Sequence, residues 1–190
     1  MTRSHIVGIL AAITSLLIWA AWFAVTRASV THVLHAPDIV ILRLGIGSLV
    51  LLPFFLREAH RVPRRAWAEA VFLSACWGAP FVLLMALGIQ LTSAAHAAAL
   101  TPSTMPVFAG LLGWMFLGVR PASRQLAGYG VIVAGVVVLA SVARAGHAGW
   151  QTEAGGDAAL LGAALIWAMY TARLPHSGLS TVPAAFLVCA

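Results

Sequence analysis

From Ser93 to Leu117 the chain runs 25 residues without a single Asp, Glu, Arg or Lys. As a helix, that stretch is long enough to cross a bilayer's hydrocarbon core of about 30 Å. Pro102 and Pro106 stand in its first half, one helical turn apart. Each proline lacks an amide donor, so the carbonyls of Ala98 and Pro102 lose their i+4 partners on one face. An unpaired carbonyl in hydrocarbon costs several kcal/mol, so a break of this kind persists where water, a cavity or nearby polar groups re-satisfy it. Thr101, Ser103 and Thr104 lie inside the break and are placed to do so. Two readings stand side by side: a broken helix lining a polar pathway, or a kinked packing helix held by hydroxyl groups.

The rest of the chain is built in the same way. Hydrophobic residues make up 62% of it and charged residues only 8%, with a mean hydropathy of +0.97. That excludes an ordinary soluble domain, in which about a quarter of residues are charged. The apolar runs are about twice the ten-residue alternating segments of a membrane β-barrel and do not alternate. The fold class is therefore all-α and multi-pass, with six or seven transmembrane helices. The segments run from about Ile6 to Val25, Ile39 to Leu56, Ala68 to Gln90 (broken at Trp77-Gly78-Ala79-Pro80), Ser93 to Leu117, Leu126 to Val142 and Ala158 to Ala172. A seventh starts near Val182.

Net charge is +6, and all eleven basic residues are arginine, a usage that points to a GC-rich bacterial genome. They sit mainly in short loops, so they read as topology signals and not as a nucleic-acid surface. With the N-terminus inside, the inner loops hold Arg3, Arg57, Arg61, Arg64, Arg65, Arg120, Arg124 and Arg173, while the outer loops hold only Arg27 and Arg144. The positive-inside rule then places the N-terminus in the cytoplasm, and with the arginine usage the expected location is a bacterial inner membrane. Cys76 and Cys189 both lie in apolar segments with no CxxC, and read as packing residues.

An internal repeat sharpens this picture. At an offset of 148 residues, Gly8 meets Gly156, Leu17-Ile18-Trp19-Ala20 meets Leu165-Ile166-Trp167-Ala168, Ala24 meets Ala172, and Trp22 faces Tyr170. Five spans lie in one unit, and an odd number inverts the second copy relative to the first. The expected organisation is a complete first unit over 1–143, a linker over 144–157 and the start of a second, truncated unit over 158–190. Further residues carry a resemblance. They are Pro37-Asp38 with Arg43-Leu44-Gly45, the run Ala86 to His96, the run Thr101 to Phe108, and Gly128 with Gly135. Together they resemble the EamA-type transporters of the drug/metabolite transporter superfamily over about 140 residues of the first unit. The resemblance implies a ten-helix basket of two inverted five-helix repeats. It also implies carriage of metabolites, amino acids or drugs, commonly outward, by alternating access, with the lipid bilayer and a small molecule as partners and no nucleic acid, cofactor or metal. It allows a homodimer. One departure is plain: Leu117-Gly118-Val119-Arg120 stands where the family often has L-G-E-R, so the glutamate of any ion pair at that edge is missing.

Candidate pathway residues follow. Arg43 enters the membrane by about 9 Å past Pro37; it either holds a substrate carboxylate with its planar fork or snorkels to the interface. Aligning Pro183 with Pro37 puts Cys189 opposite Arg43, against a symmetric role. His96 is the only imidazole within an apolar segment and either exchanges protons or bonds a carbonyl. With no acid deep in any segment, a carboxylate proton relay is not expected. Trp19 and Trp22 share a helix face; with Trp77, Pro80, Trp167 and Tyr170 they either line an aromatic cavity or pack. Thr101, Pro102, Ser103 and Pro106 complete the set. Gly128, Gly130 and Gly135 read as a close helix contact.

Two other functional classes were weighed. An intramembrane enzyme would need a nucleophile and a base in reach. The sequence has no G-x-S-x-G and no Asp pair, and His96 and Ser103 lie seven residues or about 10 Å apart on one helix, so no catalytic residue is assigned. A non-transporting membrane subunit, or a non-functional fragment, is the alternative to a transporter.

Overall fold

In a computed structural model the backbone is described for residues 3–32, 34–144 and 150–190. The side chains are described within these ranges except at 3–4, 31–32, 61, 117, 142–144 and 150. The described residues form helices and short turns, with no strand. The elements are α1 (Arg3–His32), α2 (Ala36–Glu58), α3 (Arg64–Trp77), α4 (Ala79–Leu91), α5 (Ala94–Leu117), α6 (Ser123–Arg144), α7 (Trp150–Arg173) and α8 (Thr181–Cys189). Among the described residues, five stretches are long and apolar enough to cross a membrane: His5–Val30, Ala36–Glu58, Arg64–Leu91, Ser123–Ser141 and Gln151–His176. α5, at about 36 Å, has the length as well and carries no Asp, Glu, Arg or Lys. The nine residues of α8 are too few to cross. This is a multi-pass helical membrane protein.

Local chemistry sets the helix ends. Asp38 accepts a hydrogen bond from the His35 amide at 2.8 Å and Pro37 lies in the first turn, so the Pro-Asp pair is a helix start. Ser93 caps α5 by accepting the His96 amide at 3.0 Å, and Gly118 closes it in the left-handed region at φ 66°. The break expected in the third segment is present: α3 stops at Trp77 and α4 starts at Ala79. Gly78 fits there because a Cβ would fall 2.8 Å from the Val188 carbonyl of α8.

Two readings are corrected. Of the two open for α5, the broken helix fails, because the helix is continuous through Pro102 and Pro106. The nearby hydroxyls do not turn to the carbonyls that the prolines leave without donors. Ser103 donates to Ala99 at 2.5 Å, and Thr104 to Leu100 at 2.8 Å. Second, α7 begins at Trp150 and not near Ala158, so much of the expected linker is helix; residues 145–149 lie outside the described residues.

Contacts at the helix ends fix directions. Arg27 of α1 donates to the Ile89 and Gln90 carbonyls at the end of α4, at 2.5 and 2.8 Å, so α1 and α4 run parallel. Gly88 near the end of α4 packs on Gly156 near the start of α7, so these two run antiparallel. α1 and α7, the two copies of the repeat, therefore point in opposite directions. The core sits where α4 passes among α1, α2, α5 and α7, and Phe81, Val82, Met85, Ala86 and Ile89 are all buried there.

Candidate functional site

Aromatic rings from both copies meet at the middle of the bundle. The i,i+4 pair Trp19 and Phe23 projects from one face of α1 with ring centroids 5.4 Å apart, and Trp22 reaches Phe23 at 5.0 Å. Trp77 ends α3, and across the Gly78 break it stacks on Phe81 of α4 at 4.1 Å and 20°. α7 supplies Trp167 and Tyr170. Trp167 meets Trp19 edge-on at 5.4 Å and Trp77 at 5.1 Å, while Tyr170 stacks on Trp77 at 5.1 Å. Trp19 and Trp167 are the two halves of the repeat alignment, and they touch. Each such ring pair contributes about 0.5–1.5 kcal/mol beyond its buried area.

Arg43 of α2 completes the group. Its guanidinium carbon lies 4.6 Å from the centre of the Trp22 ring, a cation–π geometry. Its Nη1 atom is buried with no hydrogen-bond partner. A charged donor left in that state costs more than the 1–3 kcal/mol or so of a neutral one. An anion placed beside Trp22 would satisfy it. Cys189, aligned with Arg43 in the sequence, is brought to α2, where its carbonyl accepts from Ser48 at 2.6 Å.

Five sequence candidates therefore converge with Arg43: Trp19, Trp22, Trp77, Trp167 and Tyr170. The α5 set divides. Thr101 is fully buried and its hydroxyl lies 3.5 Å from the Leu160 carbonyl of α7. Ser103 and Pro106 are exposed, Pro102 is half-buried, and Pro80 is exposed in the first turn of α4. None of these four joins the aromatic group. Phe23 and Phe81 were missed, although their i,i+4 spacing from Trp19 and Trp77 was visible.

His96 has a partner in the stretch that the sequence assigned to a linker. Its Nε2 lies 2.7 Å from Oδ1 of Asp157, and the two side chains are only 10% and 14% exposed. Because α7 begins at Trp150, Asp157 stands two turns inside the helix and not at its edge. A cavity of about 320 Å³ adjoins the pair, lined also by Leu100, Val136, Ala140, Ser141 and Leu161. At the opposite end of α7, Arg173 grips Glu69 of α3 through two hydrogen bonds of 2.8 and 2.6 Å. This ion pair lies beside a cleft of about 380 Å³ walled by Phe72, Leu112, Phe116 and Met169. α7 is thus tied to α5 at one end and to α3 at the other, with the aromatic group between.

Comparison with known proteins agrees with this architecture. No curated protein and no solved structure matches the chain. The EamA-like transporter family matches over residues 6–141, which run from the start of α1 to the end of α6. On that match, the chain belongs to the EamA-like transporter family.

Proposed function

We propose that this protein is a secondary transporter of the bacterial inner membrane, with its N-terminus in the cytoplasm, that exports small molecules by alternating access. The observation that carries the reading is the aromatic group shared between the two inverted copies, with a buried arginine donor left open beside it. The first unit and the start of the second rock against one another about the Trp19–Trp167 contact. Arg43 takes a carboxylate of the substrate, and Trp22, Trp77 and Tyr170 take its apolar body. The Arg27 end faces outward and the Glu69–Arg173 pair faces the cytoplasm. That pair supplies the acid that Val119 does not. Pro102 and Pro106, although helical here, leave α5 two hydrogen bonds short and make it the wall that flexes.

The test is flux into lipid vesicles holding the full chain, with a panel of amino acids, aromatic carboxylates and drug-like amines. Carboxylates with a flat apolar body should cross faster than in empty vesicles. Arg43→Gln should slow them at least about tenfold, the worth of one charge-assisted hydrogen bond of roughly 1.5–3 kcal/mol. Flux equal to that of empty vesicles across the whole panel would overturn the reading.

A further inference from the structure

We propose that the cleft beside the Glu69–Arg173 pair seats one anionic phospholipid, its phosphate at Arg65, Arg120 and Arg173 and an acyl chain along Phe72, Leu112 and Met169. The cleft, of about 380 Å³, lies where α3, α5 and α7 meet. All three helices show the same order from their ends inward. On α3, Arg65, Glu69 and Phe72 share one face through their spacing of four and three residues. On α7 the order is His176 and Arg173, then Met169. On α5 it is Phe116, then Leu112, with Arg120 three residues past the helix end. Charge therefore stands at the rim and apolar surface deeper, by about 10 Å between Arg65 and Phe72. A phospholipid has the same profile.

The cleft also has room for a chain. Gly113 lies on its wall, and a Cβ there would meet no neighbouring element within 4 Å among the described residues. Phe72 and Phe116 are 38% and 75% exposed, which leaves apolar surface for an acyl chain to cover.

Donors remain for the phosphate. The two bonds to Glu69 use Nε and one hydrogen of Nη2 on Arg173, and a guanidinium has five N–H groups. The other three belong to a side chain that is 53% exposed. With Glu69 and Arg173 offsetting each other, Arg65 and Arg120 set the charge of the rim. Both are exposed, and neither has an ion-pair partner among the described residues. Basic pockets between membrane helices take anionic headgroups in this way. A zwitterionic headgroup brings an ammonium of its own, which the two arginines repel. The seat thus selects a lipid of net negative charge.

The test is native mass spectrometry of the full chain, released from micelles doped with equal amounts of phosphatidylglycerol and phosphatidylcholine bearing the same chains. One phosphatidylglycerol should stay bound in preference to phosphatidylcholine by about tenfold or more. Arg65→Gln and Arg120→Gln should each cut that preference by about fivefold. Gly113→Leu, which fills the cleft, should cut retention of the first lipid by about as much. Gly8→Leu, on the exposed face of α1 at the same end of the molecule, should change neither quantity. Equal retention of the two lipids would overturn the proposal. So would a preference that survives both Gly113→Leu and the combined arginine variant, because the lipid would then sit elsewhere. A loss with Gly8→Leu as large as with Gly113→Leu would mean a general lipid shell and would overturn it too. If Gly113→Leu is not monodisperse, the arginine variants decide. No substrate enters the measurement and no sidedness is assumed, so this result and the flux result can fail independently.

Discussion

α4 and α6 are apolar, glycine-bearing helices of the same unit, and they sit in opposite circumstances. Phe81, Val82, Met85, Ala86, Gly88 and Ile89 of α4 are buried. None of the described side chains of α6 is buried, and Val131 and Val138 are 73% and 60% exposed. Their glycines follow suit. A Cβ on Gly88 would fall 2.5 Å from the Leu160 side chain, and one on Gly156 opposite would fall 2.5 Å from Thr92 and 3.0 Å from Leu91. A Cβ at Gly128, Gly130 or Gly135 would meet no neighbouring element within 4 Å among the described residues. A glycine in a membrane helix thus marks a close approach only when a neighbour is there to make it. α6 is held at Gly110 of α5, whose missing side chain makes room for the Tyr129 ring.

The largest effect that would break this contrast is at the α4–α7 crossing. Gly88→Leu should abolish a monodisperse folded protein in detergent, because Leu160 is fully buried and has no room to yield. Overpacking of this kind costs about 1–3 kcal/mol even where the core can adjust. Gly156→Leu should act alike. A thermal-unfolding midpoint unchanged by either substitution would show that the helices do not pack this closely. Gly78→Ala comes next: its methyl group would meet backbone oxygens of Ser74 and Val188, which cannot rotate away. It should lower the midpoint and loosen α8. Only wild-type behaviour on limited proteolysis near α8 would tell against that contact.

How much of this was legible beforehand follows from what a single sequence encodes. Apolar runs, arginine loops and the Ile-Trp-Ala repeat are local patterns, and they gave the helices and the Gly78 break and marked Trp19 and Trp167 as equivalent positions. Gly128, Gly130 and Gly135 were singled out as a close contact on spacing alone. Gly88 and Gly156 were passed over as packing residues, because only the tertiary arrangement brings α4 against α7. Asp157 fell within the linker expected over 144–157, since the polar residues Gln151 to Glu153 hide a helix that starts at Trp150. Pro102 and Pro106 pointed to a break because each must forfeit a hydrogen bond. The helix keeps its course nonetheless, with α7 packed along it.

A graded comparison uses side chains of similar chemistry on the two helices. Met85→Ala in α4 removes a fully buried side chain and should cost about 2–5 kcal/mol, read as a drop in unfolding midpoint. Val138→Ala in α6, on an exposed face, should stay within about 0.5 kcal/mol. Similar losses at both positions would mean that α6 is covered in the membrane by something as well packed as α4's neighbours.

The smallest expected effect is the most informative about α6. Gly130→Ala adds a methyl group where nothing lies within 4 Å and the backbone is already helical. Alanine holds helical geometry better than glycine by about 0.8–1.0 kcal/mol in soluble hosts. The unfolding midpoint should therefore stay level or rise slightly, and flux should not change. A fall in the midpoint that depends on protein concentration would reveal a second copy seated on this face, since a methyl group can disrupt only a surface that something touches. A fall independent of concentration would place α6 closer to its own chain than the 4 Å clearance around Gly130 allows.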